Sequence, residues 1–512
     1  MSRVEEKIFY VSGRPIGRPV NRTQSIPVLV QTHSLTRIRA FKRWMKSHDF
    51  DCSDALEIVD DGCVGGGISV RAVCDLKEGD LVATIPKSAC LTIQTSGARE
   101  MIESAGLAGS LGLAVAVMYE RSLGPASPWH GYLQLLPDRE CVPLVWSLRE
   151  VDAFLSGTEL HKTVKEDKSS VYEDWREFIE PLVLSGTWNL DPDRFGVEQY
   201  FSAKTLVSSR SFQIDSCYGF GMVPLADLFN HKTGAEHVHF TSVTSSSSSD
   251  DDGDSDISYE SHDGESSIVN SNTRSSGKDD TNLEMIIVKY AEAGCEVFNT
   301  YGIIGNAALL YRYGFTEPDN QYDIVNIDLA LVVRWCSSAF SGRYCRARVS
   351  CWRKLNYLGS ANQHCEYFEI SCDGEPELEL LVLLYIIFLQ EEDYEKLGYM
   401  SDALVNLDES TAIVKLVKAT SNKRMKMDQE TSGDIKELLV SDNVCFALSS
   451  LADLRESLYG SSSVEEDTKK IERCCDMKER KAYHSLVLRK CERLILGRLR
   501  DYASKRSSKK KL

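Results

Sequence analysis

Two apolar runs that each stop in polar residues constrain this chain more than any other feature. The first, Met222-Val223-Pro224-Leu225-Ala226-Asp227-Leu228-Phe229-Asn230-His231, ends in Asn-His. The second, Val297-Phe298-Asn299-Thr300-Tyr301-Gly302, ends in Tyr-Gly and leads through Asn306 to Tyr313-Gly314-Phe315. Short apolar runs bounded by turn residues read as buried strands, here as parts of one continuous sheet. Polar side chains gathered where strands end are the material of a site.

A chain of 512 residues that is 42% hydrophobic predicts two or three domains with ordinary cores. Its net charge of −17 matters less than where the charge lies. Between Ser245 and Thr281 ten acids face only Arg274 and Lys278, a net of −8, so about half the excess sits in one Ser-rich insert. Few apolar residues and high charge predict disorder there. Ser249 and Ser255 precede acids, which suits an acid-directed kinase as well as an inert tether. The strand-like segments on either side, 237–243 and 283–288, predict a hairpin excursion that leaves the sheet intact.

Sixteen cysteines with no C-x-x-C pair read as a reduced inventory of small buried side chains, with no zinc site. The longest apolar run, Leu378 to Leu389, contains Glu379 and is too short to span a bilayer. Residues 1–40 read as a disordered basic leader, with a transit peptide as the alternative. A short helix follows around Phe41, Trp44 and Met45, then a strand, turn and strand over 62–86. Residues 88–200 read as mainly helical, and 320–335 and 343–371 as containing short strand-like runs. Helices are predicted over 195–207, 377–389, 434–451 and 479–499, before a basic tail over 501–512. That tail suits a nuclear address or a charged terminal face.

In these residues the chain resembles the SET-domain protein methyltransferases, in the branch typified by the Rubisco large-subunit and ribosomal-protein lysine methyltransferases. That branch carries D-L-x-N-H followed by F-x-x-Y-G-x-x-x-N-A-x-L-L-x-x-Y-G-F; Asp227 to His231 and Phe298 to Phe315 match both in order. The resemblance reaches outward through Phe41 to Trp44, Gly65 to Ile68, Ser127 to Leu133 and Ser209 to Phe212, and covers about 41–500. It implies an α+β fold: small β-sheets with a knot-like crossing of the two motifs over 41–318, a helical insert over 88–200, and a mainly α-helical substrate-binding domain over 319–500.

The resemblance implies transfer of a methyl group from S-adenosylmethionine to a lysine amine of a protein substrate. No zinc, membrane or direct nucleic-acid contact is required. Tyr301 takes the catalytic position. Val64, Gly65, Gly66, Asn230, His231 and Phe315 take donor positions, and Arg210, Asp227, Tyr301 and Tyr313 substrate positions. Without the resemblance, Gly65 and Gly66 read as a hairpin turn, His231 as a structural histidine, Asn230 as a strand-end cap and Arg210 as a solvated side chain. Val64 stands where the family often has a charged residue, and Gly305 where it has a small polar one, which predicts a looser turn. Tyr313 favours lysine over the histidine methylation of a related branch, and an inactive partner-binding scaffold is the third reading. Asn299-Thr300 points to a nuclear or cytosolic enzyme, with the chloroplast as the lesser alternative.

Overall fold

The computed structural model describes residues 26–60, 67–242, 281–355, 367–404, 409–420, 435–474 and 479–509. Outside them lie the first 25 residues of the basic leader, Val64, Gly65 and Gly66, the acidic insert over 243–280, and the last three residues of the tail. The described residues form two compact units. One is built from those up to Arg139 together with Trp175–Tyr301, the other from Glu140–Asp174 and those from Gly302 onward.

The first unit holds three small antiparallel sheets. Four strands run in the order Asp51–Cys52, Leu81–Pro86, Asn282–Ile287 and Val238–Ser242. Leu283, Met285 and Ile287 are fully buried while the residues between them are not, the period of two that a sheet with one covered face requires. Ser242 pairs with Leu283, so the strands on either side of the acidic insert pair with each other. Three further strands run Leu91–Thr92, Gly219–Met222, Ser211–Asp215, and Leu56–Asp60 pairs with Ile68–Ala72.

The opening helix, Ile26–Ser47, buries Phe41, Trp44 and Met45. The Trp44 ring stacks 6.2 Å from Tyr132 of the short helix His130–Leu133, and its indole N–H donates to the Pro128 carbonyl at 2.7 Å. Gly131 makes this approach possible, because a Cβ there would overlap the Trp44 side chain.

The second unit is mainly helical around one two-stranded sheet, Ile324–Asp328 with Tyr367–Ser371. Most of the region expected as short strands is instead the helices Leu329–Ala339 and Gly342–Lys354. The β-branched and aromatic content suggested strands, but buried Leu329, Val332 and Cys336, then Cys345, Val349 and Trp352, recur at three- and four-residue intervals. That spacing is helical, and burial of one stripe outweighs residue propensity. Helices Leu378–Ile387, Asp442–Glu456 and Arg480–Lys509 fall where expected, the last running on past Leu499.

Arg455 ties this unit together. Its guanidinium donates to the carbonyls of Gly157 at 2.6 Å and Asn326 at 2.9 Å, and pairs with buried Glu492 at 3.2 Å. The Tyr459 hydroxyl donates to the same carboxylate. Burial pushes the carboxyls of Glu159 and Glu492 upward from the usual range.

His484 acts in the opposite direction. Its Nδ1 accepts the Thr316 backbone N–H at 3.0 Å, and burial, then Arg480, lowers its pKa from 6.5 to about 4. The unfolded chain therefore binds the proton more tightly. Stability from this group is present above pH 6.5 and lost as the pH falls towards 4. The loss should be about 2 kcal/mol. Urea midpoints of wild type and His484→Gln, compared between pH 7 and pH 4.5, check this: the variant should lose less on acidification, and parallel losses would remove His484 as the cause.

Candidate active site

The Asn-His motif does not continue the strand that enters it. Gly219–Met222 ends the sheet, Leu225 has φ of 76° and ψ of −49°, and Ala226–Leu228 makes one 3-10 turn. A leucine in this γ-turn region is strained. Every residue from Gly221 to Phe229 is buried, so apolar content alone could not distinguish a turn from a strand. The Tyr-Gly run is likewise no regular strand. It makes isolated pairings, Arg71 with Glu296 antiparallel and His231 with Asn299 parallel.

Those pairings bring the two motifs together. The Asn299 N–H donates to the Asn230 carbonyl at 2.9 Å, and the Tyr301 N–H to His231 Nδ1 at 3.1 Å. Nδ1 must then be unprotonated, so the imidazole carries its proton on Nε2, which faces Thr233 Oγ1 at 3.2 Å. The imidazole also stacks on the Tyr301 ring, centroids 5.2 Å apart and planes 22° from parallel. His231 thus spends its side chain on placing Tyr301.

The Tyr301 hydroxyl donates to the Phe229 carbonyl at 3.2 Å. With its proton directed there, the hydroxyl oxygen has the polarity of an acceptor. Asn230, half-buried, donates from Nδ2 to Glu296 Oε1 at 2.7 Å.

Behind this face lies a buried triad. The Asp227 side chain is fully buried; it accepts from the Tyr132 hydroxyl at 2.8 Å and pairs with Arg210 at 3.3 Å. Arg210, in the last turn of Val197–Arg210, also donates to the Asp227 carbonyl at 3.0 Å. Burial first, then the Asp227 charge, pushes the Tyr132 phenol well above its ordinary pKa. Both expected substrate contacts, Arg210 and Asp227, are engaged with each other.

The rest of the second motif belongs to the other unit. Tyr313 ends the helix Asn306–Tyr313, and its ring lies 6.3 Å from that of Phe315 at 49°. Gly314 between them has φ of 77°, and a Cβ there would sit 2.7 Å from the Cys141 carbonyl oxygen. Gly305 does not loosen the turn as expected. Asp323 Oδ1 accepts the Asn306 N–H at 2.9 Å and so replaces the capping side chain that Gly305 lacks. The Asn306 amide is itself consumed, donating to Asp323 and Glu317 and accepting the Glu317 N–H at 2.8 Å.

Sequence reasoning missed Tyr132, Glu296 and Asp323. Glu296 had a signal: an acid placed immediately before an apolar run that ends in a site. Tyr132 had none beyond its place in the Ser127 to Leu133 stretch, and Asp323 caps a helix from 17 residues away. A surface cavity of about 550 Å³ in the first unit, lined by Arg37, Glu120, His130 and Arg194 among others, includes none of the site residues. Among the described residues no cluster of His, Cys, Asp or Glu could hold a metal ion, and no helix is long and apolar enough to cross a membrane.

Against solved structures the chain is similar to the SET domain of LSMT bound to lysine and AdoHcy. The TM-score is 0.63 at 17% identity, covering 93% of this chain and 92% of that one. The structure of Rubisco LSMT bound to AdoMet gives 0.60 at 18%, covering 92% of each. The fold is that of the LSMT-type SET-domain proteins.

Curated relatives include N-lysine methyltransferase setd6 of Salmo salar, 26% identical over 60% of this chain and 63% of that protein. Ribosomal lysine N-methyltransferase 3 of Saccharomyces cerevisiae is 26% identical over 51% of this chain and 59% of that protein. The chain matches about three fifths of the length of these relatives. No family model matches it.

Proposed function

We propose that this protein is an S-adenosylmethionine-dependent protein-lysine N-methyltransferase acting on a non-histone protein. The observation that carries the reading is the acceptor state of the Tyr301 hydroxyl, fixed by Phe229 beside the joined Asn-His and Tyr-Gly motifs. Names of relatives in fish and yeast, one of them a ribosomal enzyme, support the lysine chemistry. The neighbours bound to AdoMet and AdoHcy support the donor.

The residues present fit such a donor. Asn230 presents a half-buried amide beside a carboxylate, a setting for a cation. When bound, S-adenosylmethionine supplies a methyl group on a sulfonium, open to in-line attack by an amine. Tyr301 accepts a contact from the amine or from the polarised methyl C–H, individually weak but directional. His231 holds the Tyr301 backbone and ring in register, which counts because geometry supplies much of the rate of a direct displacement. The substrate amine must arrive neutral, which desolvation in an apolar pocket promotes.

Val64, Gly65 and Gly66 keep their donor assignment, and Tyr313 and Phe315 their ring contacts to substrate and donor, on the resemblance alone. Arg210 and Asp227 act in this reading as supports for the turn that leads into Phe229 and Asn230, through the Arg210 contact with the Asp227 carbonyl. Partner class and compartment follow it: a protein presenting a lysine, in nucleus or cytoplasm. Relatives in fish and yeast, which have no chloroplasts, support that compartment over the chloroplast.

The test is incubation of purified protein with isotopically labelled S-adenosylmethionine and an extract of cells lacking it, followed by mass spectrometry of labelled proteins. Label on lysine of a discrete protein is expected. Label on histidine would favour the related branch's reaction, and neither label nor donor binding would sink the proposal.

A further inference from the structure

We propose that Glu296 is a positioning residue that sets the Asn230 amide with its carbonyl oxygen towards the ammonium group of the methyl donor. The inference rests on the donor reading above.

An asparagine amide presents a donor end and an acceptor end, and a half-turn of its plane exchanges them. At Asn230 the choice is decided by chemistry. Nδ2 lies 2.7 Å from Glu296 Oε1. The flipped amide would set its carbonyl against a carboxylate, a repulsive contact in place of a charge-assisted hydrogen bond. The acceptor end therefore points away from Glu296.

Glu296 is itself placed by the backbone. Its pairing with Arg71 anchors the start of the Tyr-Gly run, and the Val297 N–H donates to the Val70 carbonyl at 2.8 Å. Three residues further on, Asn299 binds the Asn230 carbonyl. Asn230 is thus held by the second motif from two sides, main chain by Asn299 and side chain by Glu296. Its free carbonyl, beside a fixed negative charge, is suited to a cation and unsuited to a carboxylate. Of the groups at the amino-acid end of S-adenosylmethionine, that selects the ammonium.

This role predicts a ligand-selective defect. S-adenosylhomocysteine carries the ammonium, whereas 5′-methylthioadenosine keeps the nucleoside and thioether but lacks the amino-acid end. Titration calorimetry of the full chain with each ligand should show Glu296→Ala weakening S-adenosylhomocysteine about 10-fold, the size of one lost hydrogen bond to a charged group. Binding of 5′-methylthioadenosine should stay within about twofold of wild type, which also shows that the variant is folded. Glu296→Gln, whose amide carbonyl still accepts from Nδ2, should recover most of the loss. Equal affinity of wild type and Glu296→Ala for S-adenosylhomocysteine would overturn the role. So would equal weakening of both ligands, or a glutamine variant as defective as the alanine one. Wild-type protein that binds neither ligand would sink the donor reading itself, a result distinct from these.

Discussion

Tyr301→Phe should lower methyl transfer about 100-fold, the cost of removing one oriented polar group from a transition state, while donor affinity stays within about twofold. The substitution removes a single oxygen. The ring remains stacked on His231, and the backbone N–H of residue 301 still donates to Nδ1. Placement of the segment is therefore unchanged. What is lost is the acceptor that the Phe229 carbonyl holds in orientation at 3.2 Å. Single-turnover rates with excess donor isolate the chemical step from binding. An unchanged rate would remove Tyr301 from the chemistry; a parallel loss of rate and donor affinity would mean that the oxygen serves binding.

Asp227→Ala should destabilise the first unit by about 3 kcal/mol, because it removes the fully buried carboxylate of an ion pair together with the acceptor it offers. Arg210 loses the carboxylate but not the Asp227 carbonyl, and the fully buried Tyr132 hydroxyl loses its acceptor. Asp227→Asn retains an acceptor for Tyr132 and removes the charge, so its loss should be roughly half as large. Chemical denaturation of both variants, followed by a probe in this unit such as Trp44 or Trp129 fluorescence, measures the difference. Equal midpoints for wild type and Asp227→Ala would show that the triad carries no stability. Because Asp227 anchors the turn two residues before Phe229, whose carbonyl orients the Tyr301 hydroxyl, folded Asp227→Asn should also lose activity. Arg210→Lys, which keeps the charge but not the planar fork of donors, should lie between it and wild type.

The sequence carried the fold class because its signals are local. Apolar runs, helical spacing and an acidic insert each report on a few neighbouring residues, and ordered motifs matched a known fold over most of the chain. Where it misled, the physical cause is identifiable. Residues 222–231 read as a strand because the run up to Phe229 is mostly apolar, whereas the γ-turn at Leu225 is decided by what packs around it. Residues 329–335 and 343–354 read as strand-like from residue type, although their buried positions recur with helical spacing. Gly305 read as a loosened cap because Asp323, 18 residues on, has no sequence relation to it.

By itself, the sequence determined the candidate side chains and their order along the chain: Arg210, Asp227, Asn230, His231, Tyr301, Tyr313 and Phe315. Only the tertiary structure decided which partners Arg210, Asp227, Asn230, His231 and Tyr301 take. A side chain's chemistry depends on which of its donors and acceptors are already used. His231 is spent on Tyr301, Asp227 on Tyr132 and Arg210, and Asn306 on Asp323 and Glu317. Tyr301 keeps its oxygen as an acceptor because its proton is directed to Phe229, 72 residues away in sequence. Hydrogen-bond partners of that separation are chosen by the fold, and no pattern along the chain encodes them.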